Sequence, residues 1–226
     1  MKDPMALKAR AIRDEDKQQR GNAILDAADE LFRSRPEGLA SMDELAEASG
    51  VAKGTLYLYF PSKEEVLLAL YERYMATFFE KLHLAVRSKR RFKLDDLLAI
   101  SNTEILGNPV LLSLATHVTG LTERSVTAEA ALAFKLRMRE RLIAAGEALD
   151  AVFELPSGES TRLLYASYAL GVGMWQLKGC LGTERYRHLV DPEVAAAFIK
   201  QYPQETDTAV RTLWASAIQN AGSRSQ

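Results

Sequence analysis

An all-α protein is what this sequence predicts, with a three-helix module at the amino end and a larger helical body behind it. Two observations carry that reading and a third excludes its main rival. Apolar residues recur at three- and four-residue intervals along most of the 226 residues, the spacing that collects them on one face of a helix. Two helix-start signatures follow one another in the first third of the chain, Ser41 with Glu44 and Ser62 with Glu65, each able to satisfy the bare amides of a first turn reciprocally. No stretch alternates apolar and polar residues as a half-buried strand does.

Ile24, Leu25, Ala28, Leu31 and Phe32 form one stripe of a helix of roughly 16 residues, which ends near Arg35 ahead of Pro36 and Gly38. The two start signatures open helices at about 42 and about 63. The second carries Val66, Leu67, Leu70, Tyr74, Phe78 and Leu82 along one side and runs to about Arg87, long enough to link two parts of the molecule. Between them Gly50 supplies a turn, because glycine enters the left-handed conformation that ends a helix at no steric cost. A short helix over 53–60 follows, stopped by Pro61. Leu45, Ala46, Val51, Leu56 and Phe60 pack inward, which leaves Lys53, Gly54, Thr55, Tyr57, Leu58 and Tyr59 outside. The pattern is a helix-turn-helix. Behind residue 92, polar breaks at 107–109, 122–129, 155–160, 189–193 and 202–205 separate five or six further helices. Those over 157–180 and 205–222 are too apolar on too many sides for one chain to cover, so a second subunit is expected against them.

Hydrophobic residues make up 47% and charged residues 26% of the chain, enough for one real core and a small second module. No run reaches the roughly 18 apolar residues of a membrane span, and the front of the chain lacks the apolar stretch of a secretory signal. A cytoplasmic protein without a membrane partner is expected. The lone Cys180 allows neither a disulfide framework nor a multi-cysteine metal site. His83, His117 and His188 fall on separate helices, so no metal or other cofactor is expected. Net charge is −1, and residues 1–65 hold ten Lys or Arg against thirteen Asp or Glu. Any contact with a polyanion must therefore come from placement rather than bulk charge. The most basic stretch, SKRRFK at 88–93, reads as a solvated helix end.

Placement is what the short helix offers. A helix that reads a duplex presents its first turns to base edges while neighbouring groups hold phosphates. Lys53 suits guanine or phosphate oxygens, Thr55 and the phenols of Tyr57 and Tyr59 suit phosphate, and Gly54 with Leu58 suits the groove floor or a thymine methyl. Lys63, in the first turn of the next helix, addresses the same backbone. The plainer alternative makes Tyr57 and Tyr59 rim residues that pack on the first helix.

The segment ILDAADELFRSRPEGLASMDELAEASGVAKGTLYLYFPSKEEVLLALY, residues 24–71, resembles the amino-terminal domain of the TetR family of bacterial transcriptional regulators. Its glycine-valine turn, GTLYLYF helix, proline-serine-lysine exit and following acidic helix stand in the family's order and spacing. The resemblance implies a DNA-binding domain over 16–66 and a helical ligand-binding and dimerisation domain over 67–222. It implies backbone contacts from Ser41, Thr55, Tyr57, Tyr59 and Lys63, with Lys53, Gly54 and Leu58 nearest the bases. Ser41 stands where the family usually has threonine, which keeps the hydroxyl. The partners it implies are double-stranded DNA with a palindromic operator, a small-molecule effector that releases a repressor from that operator, and a second copy of the chain.

For the dimer face the candidates are Tyr165, Ala169 and Gly173 on one apolar helix and Leu213, Trp214 and Ala217 on the other. For a ligand pocket they are His117, Phe134, Met138, Tyr168 and Trp175, although a lone histidine on an apolar helix also fits a hydrogen-bonded core position. The alternative is an all-helical small-molecule carrier or enzyme with the front module as a structural cap. For that, the chain shows no nucleophile beside a histidine, no paired carboxylate motif and no phosphate-cradling glycine loop.

Overall fold

The structure, a computed structural model, describes residues 4–35, 40–88, 91–182 and 191–224. Among these described residues the chain forms nine α-helices and no strand. The front module is α1 (Pro4–Ser34), α2 (Met42–Ser49) and α3 (Lys53–Tyr59), and α4 (Lys63–Ser88) leads out of it. The body adds α5 (Leu94–Ser101), α6 (Pro109–Gly120), α7 (Ala128–Phe153), α8 (Glu159–Gly182) and α9 (Pro192–Arg224). Two single π-helical turns, Asn102–Leu106 and Leu121–Ser125, flank α6 on its two sides. No single helix among the described residues is long and apolar enough to cross a membrane.

The local rules explain the front module. Ser41 caps α2 through the expected reciprocal pair: its Oγ accepts from the Glu44 amide at 3.2 Å, and its own amide donates to the Glu44 carboxylate at 2.8 Å. At the other end Gly50 has φ +66°, and the Val51 and Gly50 amides donate to the carbonyls of Ala46 and Glu47. That is the double bond pattern by which a left-handed residue closes a helix. Ser62 Oγ accepts from the Glu65 amide at 3.2 Å and starts α4. Phe60, in extended conformation before Pro61, ends α3 one residue earlier than expected.

Two expectations about helix length fail. The first helix is 31 residues long, Pro4–Ser34, rather than about 16: it begins well ahead of the Ile24–Phe32 stripe, and no proline or glycine interrupts the chain between Pro4 and Gly21. The expected break at 202–205 does not occur, and α9 runs unbroken through Pro203. Its neighbours anchor that turn: the buried Tyr202 hydroxyl donates at 3.4 Å towards the carbonyls of Leu106 and Gly171, and Thr206 Oγ1 donates to the Tyr202 carbonyl at 2.7 Å. Tertiary packing thus holds what proline alone would interrupt. His188 and part of the expected 189–193 break lie outside the described residues, as does the side chain of Cys180.

One core runs through both halves. Ile24, Leu56 and Leu70 are fully buried in the front, and Leu82, Leu97, Leu111, Leu149, Leu163 and Trp214 continue it through the body. The α7–α8 hairpin is drawn tight by the buried Asp150, whose carboxylate accepts from the amides of Gly158 and Ser160, both at 2.7 Å. Within that hairpin Gly146 meets α8 so closely that a Cβ there would stand 2.8 Å from the Thr161 backbone nitrogen. Gly146→Ala should therefore force the two helices apart and destabilise the protein by about 1–3 kcal/mol. Urea unfolding followed by circular dichroism checks this, and an unchanged midpoint would refute the close approach.

Candidate nucleic-acid interface and ligand cavity

The short α3 presents its outer face to solvent. Leu58 is 84% exposed and Tyr57 44% exposed, while Leu56 between them is completely buried and anchors the helix. Gly54 is exposed, with nothing within 4 Å of where a Cβ would stand, so an approaching backbone meets no obstacle there. Lys53 is exposed at the helix start and its Nζ pairs with Asp43 Oδ1 of α2 at 2.5 Å. The hydrogen bond and charge of Asp43 hold its ammonium above the ordinary range. Thr55 and Tyr59 are half-buried. The Tyr59 ring lies 3.8 Å from the Cβ position of Gly21 on α1, so for Tyr59 the rim-packing alternative describes its ring. Lys63, half-buried at the first position of α4, covers a small gap lined by Phe32, Leu45 and Leu67. Ser41 is exposed, and its hydroxyl is engaged with Glu44.

Behind this head the body encloses a cavity of about 520 Å³, within the usual range for small-molecule sites. It is walled by α4 through Tyr71, Met75, Phe78 and Phe79, by α7 through Phe134, Met138 and Leu142, and by α8 through Leu164 and Tyr168. Three expected pocket residues, Phe134, Met138 and Tyr168, line it. Two do not. His117 sits instead between the body and the front module, with Nδ1 2.8 Å from the Ser113 carbonyl and its ring edge-on to Phe32 at 6.4 Å. It is the hydrogen-bonded packing histidine of the alternative reading. Trp175 packs edge-on against Tyr202 at 5.7 Å.

The apolar helices divide differently than expected. Tyr165 is 65% exposed, Ala169 is exposed and Gly173 has open space at its Cβ position, so α8 keeps a free face. Tyr165 also reaches the rim of the cavity. Leu213 and Ala217 are half-buried. Trp214 is 1% exposed: its Nε1 donates to Ser167 Oγ at 3.0 Å and its ring meets Phe153. It turns into its own chain's core because the indole finds there both an apolar bed and an acceptor, which removes it from any dimer face.

Four consecutive residues of α4 join head to body. The Tyr71 hydroxyl donates to that of Tyr168 at 2.9 Å, inside the cavity. Glu72 receives both arms of Arg137 at 2.7 and 2.6 Å and Arg141 at 3.0 Å, all from α7. Burial pushes the Glu72 carboxyl up, but the two guanidiniums outweigh it and hold it below the ordinary range. On the other side Arg73 reaches Asp26 Oδ1 at 2.5 Å and the Leu25 carbonyl of α1. The Tyr74 hydroxyl donates to Asp29 and accepts from Arg33, and burial together with the Asp29 carboxylate pushes the phenol up to about 12. The sequence reading singles out neither Tyr71 nor Glu72, because no local signal gives their partners, which lie 65 and more residues away.

A family model described as "Bacterial regulatory proteins, tetR family" matches residues 24–70, and one described as "Tetracyclin repressor-like, C-terminal domain" matches 70–199, more than half of the chain. The chain belongs to the TetR family. Among curated relatives, the fatty acid metabolism regulator protein of Bacillus subtilis is 35% identical over 78 residues, 34% of this chain and 40% of that protein. The HTH-type transcriptional regulator EthR of Mycobacterium tuberculosis is 49% identical over 51 residues, 23% of this chain and 24% of that one. These matches therefore span well under half of each relative. Among solved structures, the fatty acid degradation regulator FadR from Bacillus halodurans superposes with a TM-score of 0.52 at 22% identity, over 83% of this chain and 94% of that one. A putative TetR-family regulator from Mesorhizobium loti gives 0.51 at 18%, over 88% and 96%. Both share the fold. The TetR family is one of regulators rather than enzymes, which sets the enzyme alternative aside.

The cap of α2 gives this TetR-family head a pH signature. The Ser41 amide, with Arg35 and the Ser41 hydroxyl, lowers the Glu44 carboxyl from 4.5 to about 2. A carboxyl lowered on folding stabilises above its unfolded value, so the cap contributes fully above about pH 4.5 and fades as pH falls towards 2. Carbon-detected NMR titration should find the Glu44 midpoint near 2, moving upward in Ser41→Ala. A midpoint at the ordinary value in the native chain would contradict the cap geometry.

Proposed function

We propose that the chain is a homodimeric repressor: it holds a palindromic operator when its cavity is empty and releases it when a small effector fills the cavity. Residues 16–66 act as the reading head and 67–222 as the effector-binding and dimerising body. The observation that carries the reading is the exposed Tyr57–Leu58 pair on a helix whose exit leads directly into α4, the helix that also walls the cavity. A leucine left 84% in water at the tip of a structured helix is explained by a groove floor that will cover it. Lys63 supports it independently. A cation at the positive end of α4 opposes the helix dipole, and a phosphate docked there reverses that cost.

One seven-residue helix buries too little surface to hold a site. Two of them about 34 Å apart, one duplex turn, read a palindrome. The pairing faces are those of α8 and α9 that carry Tyr165, Ala169, Gly173, Leu213 and Ala217. Release follows if the effector prefers a body whose two heads are wrongly spaced, and a hundredfold loss of operator affinity requires about 2.7 kcal/mol of such preference.

Fluorescence anisotropy with DNA flanking the protein's own gene tests the reading. Binding should fall steeply with salt, because phosphate contacts release counterions. Lys63→Ala should weaken specific and random DNA alike, whereas Lys53→Ala and Leu58→Ala should lose about 1–3 kcal/mol on the operator and alter base preference. Equal losses on both DNAs for all three variants would overturn the assignment of roles. Crystals with and without effector should show different separations of the two α3 helices in the dimer, and an unchanged separation would overturn the release mechanism.

A further inference from the structure

The cavity lining is chemically divided, and the division identifies a ligand class. We propose that the cavity takes a single-chain amphiphile with an anionic head, whose tail fills the interior and whose head sits at the opening against Lys135 and Arg139. This deepens the effector reading above and rests on it.

The interior has no group that would hold a charge. Met75, Phe78, Ile105, Leu106, Ala115 and Phe134 are buried apolar walls, and the phenols of Tyr71 and Tyr168 are hydrogen-bonded to each other. An ion brought there would lose its hydration without compensation. The exposed residues of the lining that lie outside the pairing face, Glu123, Lys135 and Arg139, mark where the cavity opens. Lys135 and Arg139 stand one turn apart on α7, and among the described residues neither has an ion pair or hydrogen bond. Their neighbours on the same helix, Arg137 and Arg141, are both taken by Glu72. Like charges at this helical spacing repel, so an anion placed against both relieves a cost already present in the free protein. Glu123 is the single carboxylate of the lining, which leaves the opening one positive charge in excess. That balance suits a monoanion, tolerates a neutral head and opposes a cationic one.

Isothermal titration of the full chain with dodecanoate, dodecanol and dodecylammonium, the two ions below their micelle concentrations and the alcohol below its solubility limit, tests this. Dodecanoate should bind about tenfold more tightly than dodecanol, with dodecylammonium weakest. In the double variant Lys135→Gln/Arg139→Gln, both positions being exposed and partnerless, dodecanoate should come within about twofold of dodecanol. Ala115→Phe, which fills the interior, should weaken all three; if that variant melts early, Met138→Trp serves the same purpose. Equal affinity for the three heads, a preference for dodecanoate that survives in the double variant, or no binding of any of them would overturn the proposal. Operator binding by the unliganded protein is measured alongside. Its absence would defeat the repressor reading while leaving the order of head groups standing.

Discussion

Glu72 is a carboxylate that the packing of α4 against α7 pulls partly out of water, and it stays ionised there because Arg137 and Arg141 meet it with three short hydrogen bonds. Removing one partner of such a group leaves the other uncompensated, so α4 cannot slide along α7 by a fraction of a turn at low cost. The Tyr71–Tyr168 bond, one residue earlier, adds the same restriction against α8. Helix α4 is therefore held against the body in a discrete position rather than a graded one.

Arg73 and Tyr74 face the opposite way and hold α1 through Asp26, Asp29 and Arg33. Helical geometry makes this division possible, because successive residues advance by about 100° and two adjacent pairs address two different neighbours. The head is thus tied to the same turn of α4 that is fastened to the body. Phe32 against His117 adds a second seam between them, from α1 to α6.

The two π turns on either side of α6 shape the cavity itself. Gly107 donates to the Asn102 carbonyl at 2.7 Å and Val126 to the Leu121 carbonyl at 3.2 Å, each spanning five residues instead of four. The turns themselves carry Ile105, Leu106 and Thr122 of the cavity wall. Turns of this kind recur at functional sites, and between them α6 adds Ala115 and Val118 to the cavity lining.

The front module was legible because its signals are local. The Ser41–Glu44 cap, the left-handed Gly50 and the stop at Pro61 are satisfied within a few residues, so they survive in any context. Leu58 and Tyr57 were legible as outward residues for the same reason: Leu56 fixes which face points in. The body was legible only as helices. Whether Tyr71 is core or cavity wall, whether Glu72 is solvated or clamped, and whether Trp214 faces a partner or its own core depend on residues 47 to 97 positions away, and periodicity gives no information about distant partners. The same limit explains α9, whose proline reads as a break until Tyr202 is seen buried against Leu106 and Gly171. Local hydrogen bonding thus sufficed for the reading head, whereas the cavity came into being only when long-range packing left a space that no neighbouring side chain could reach.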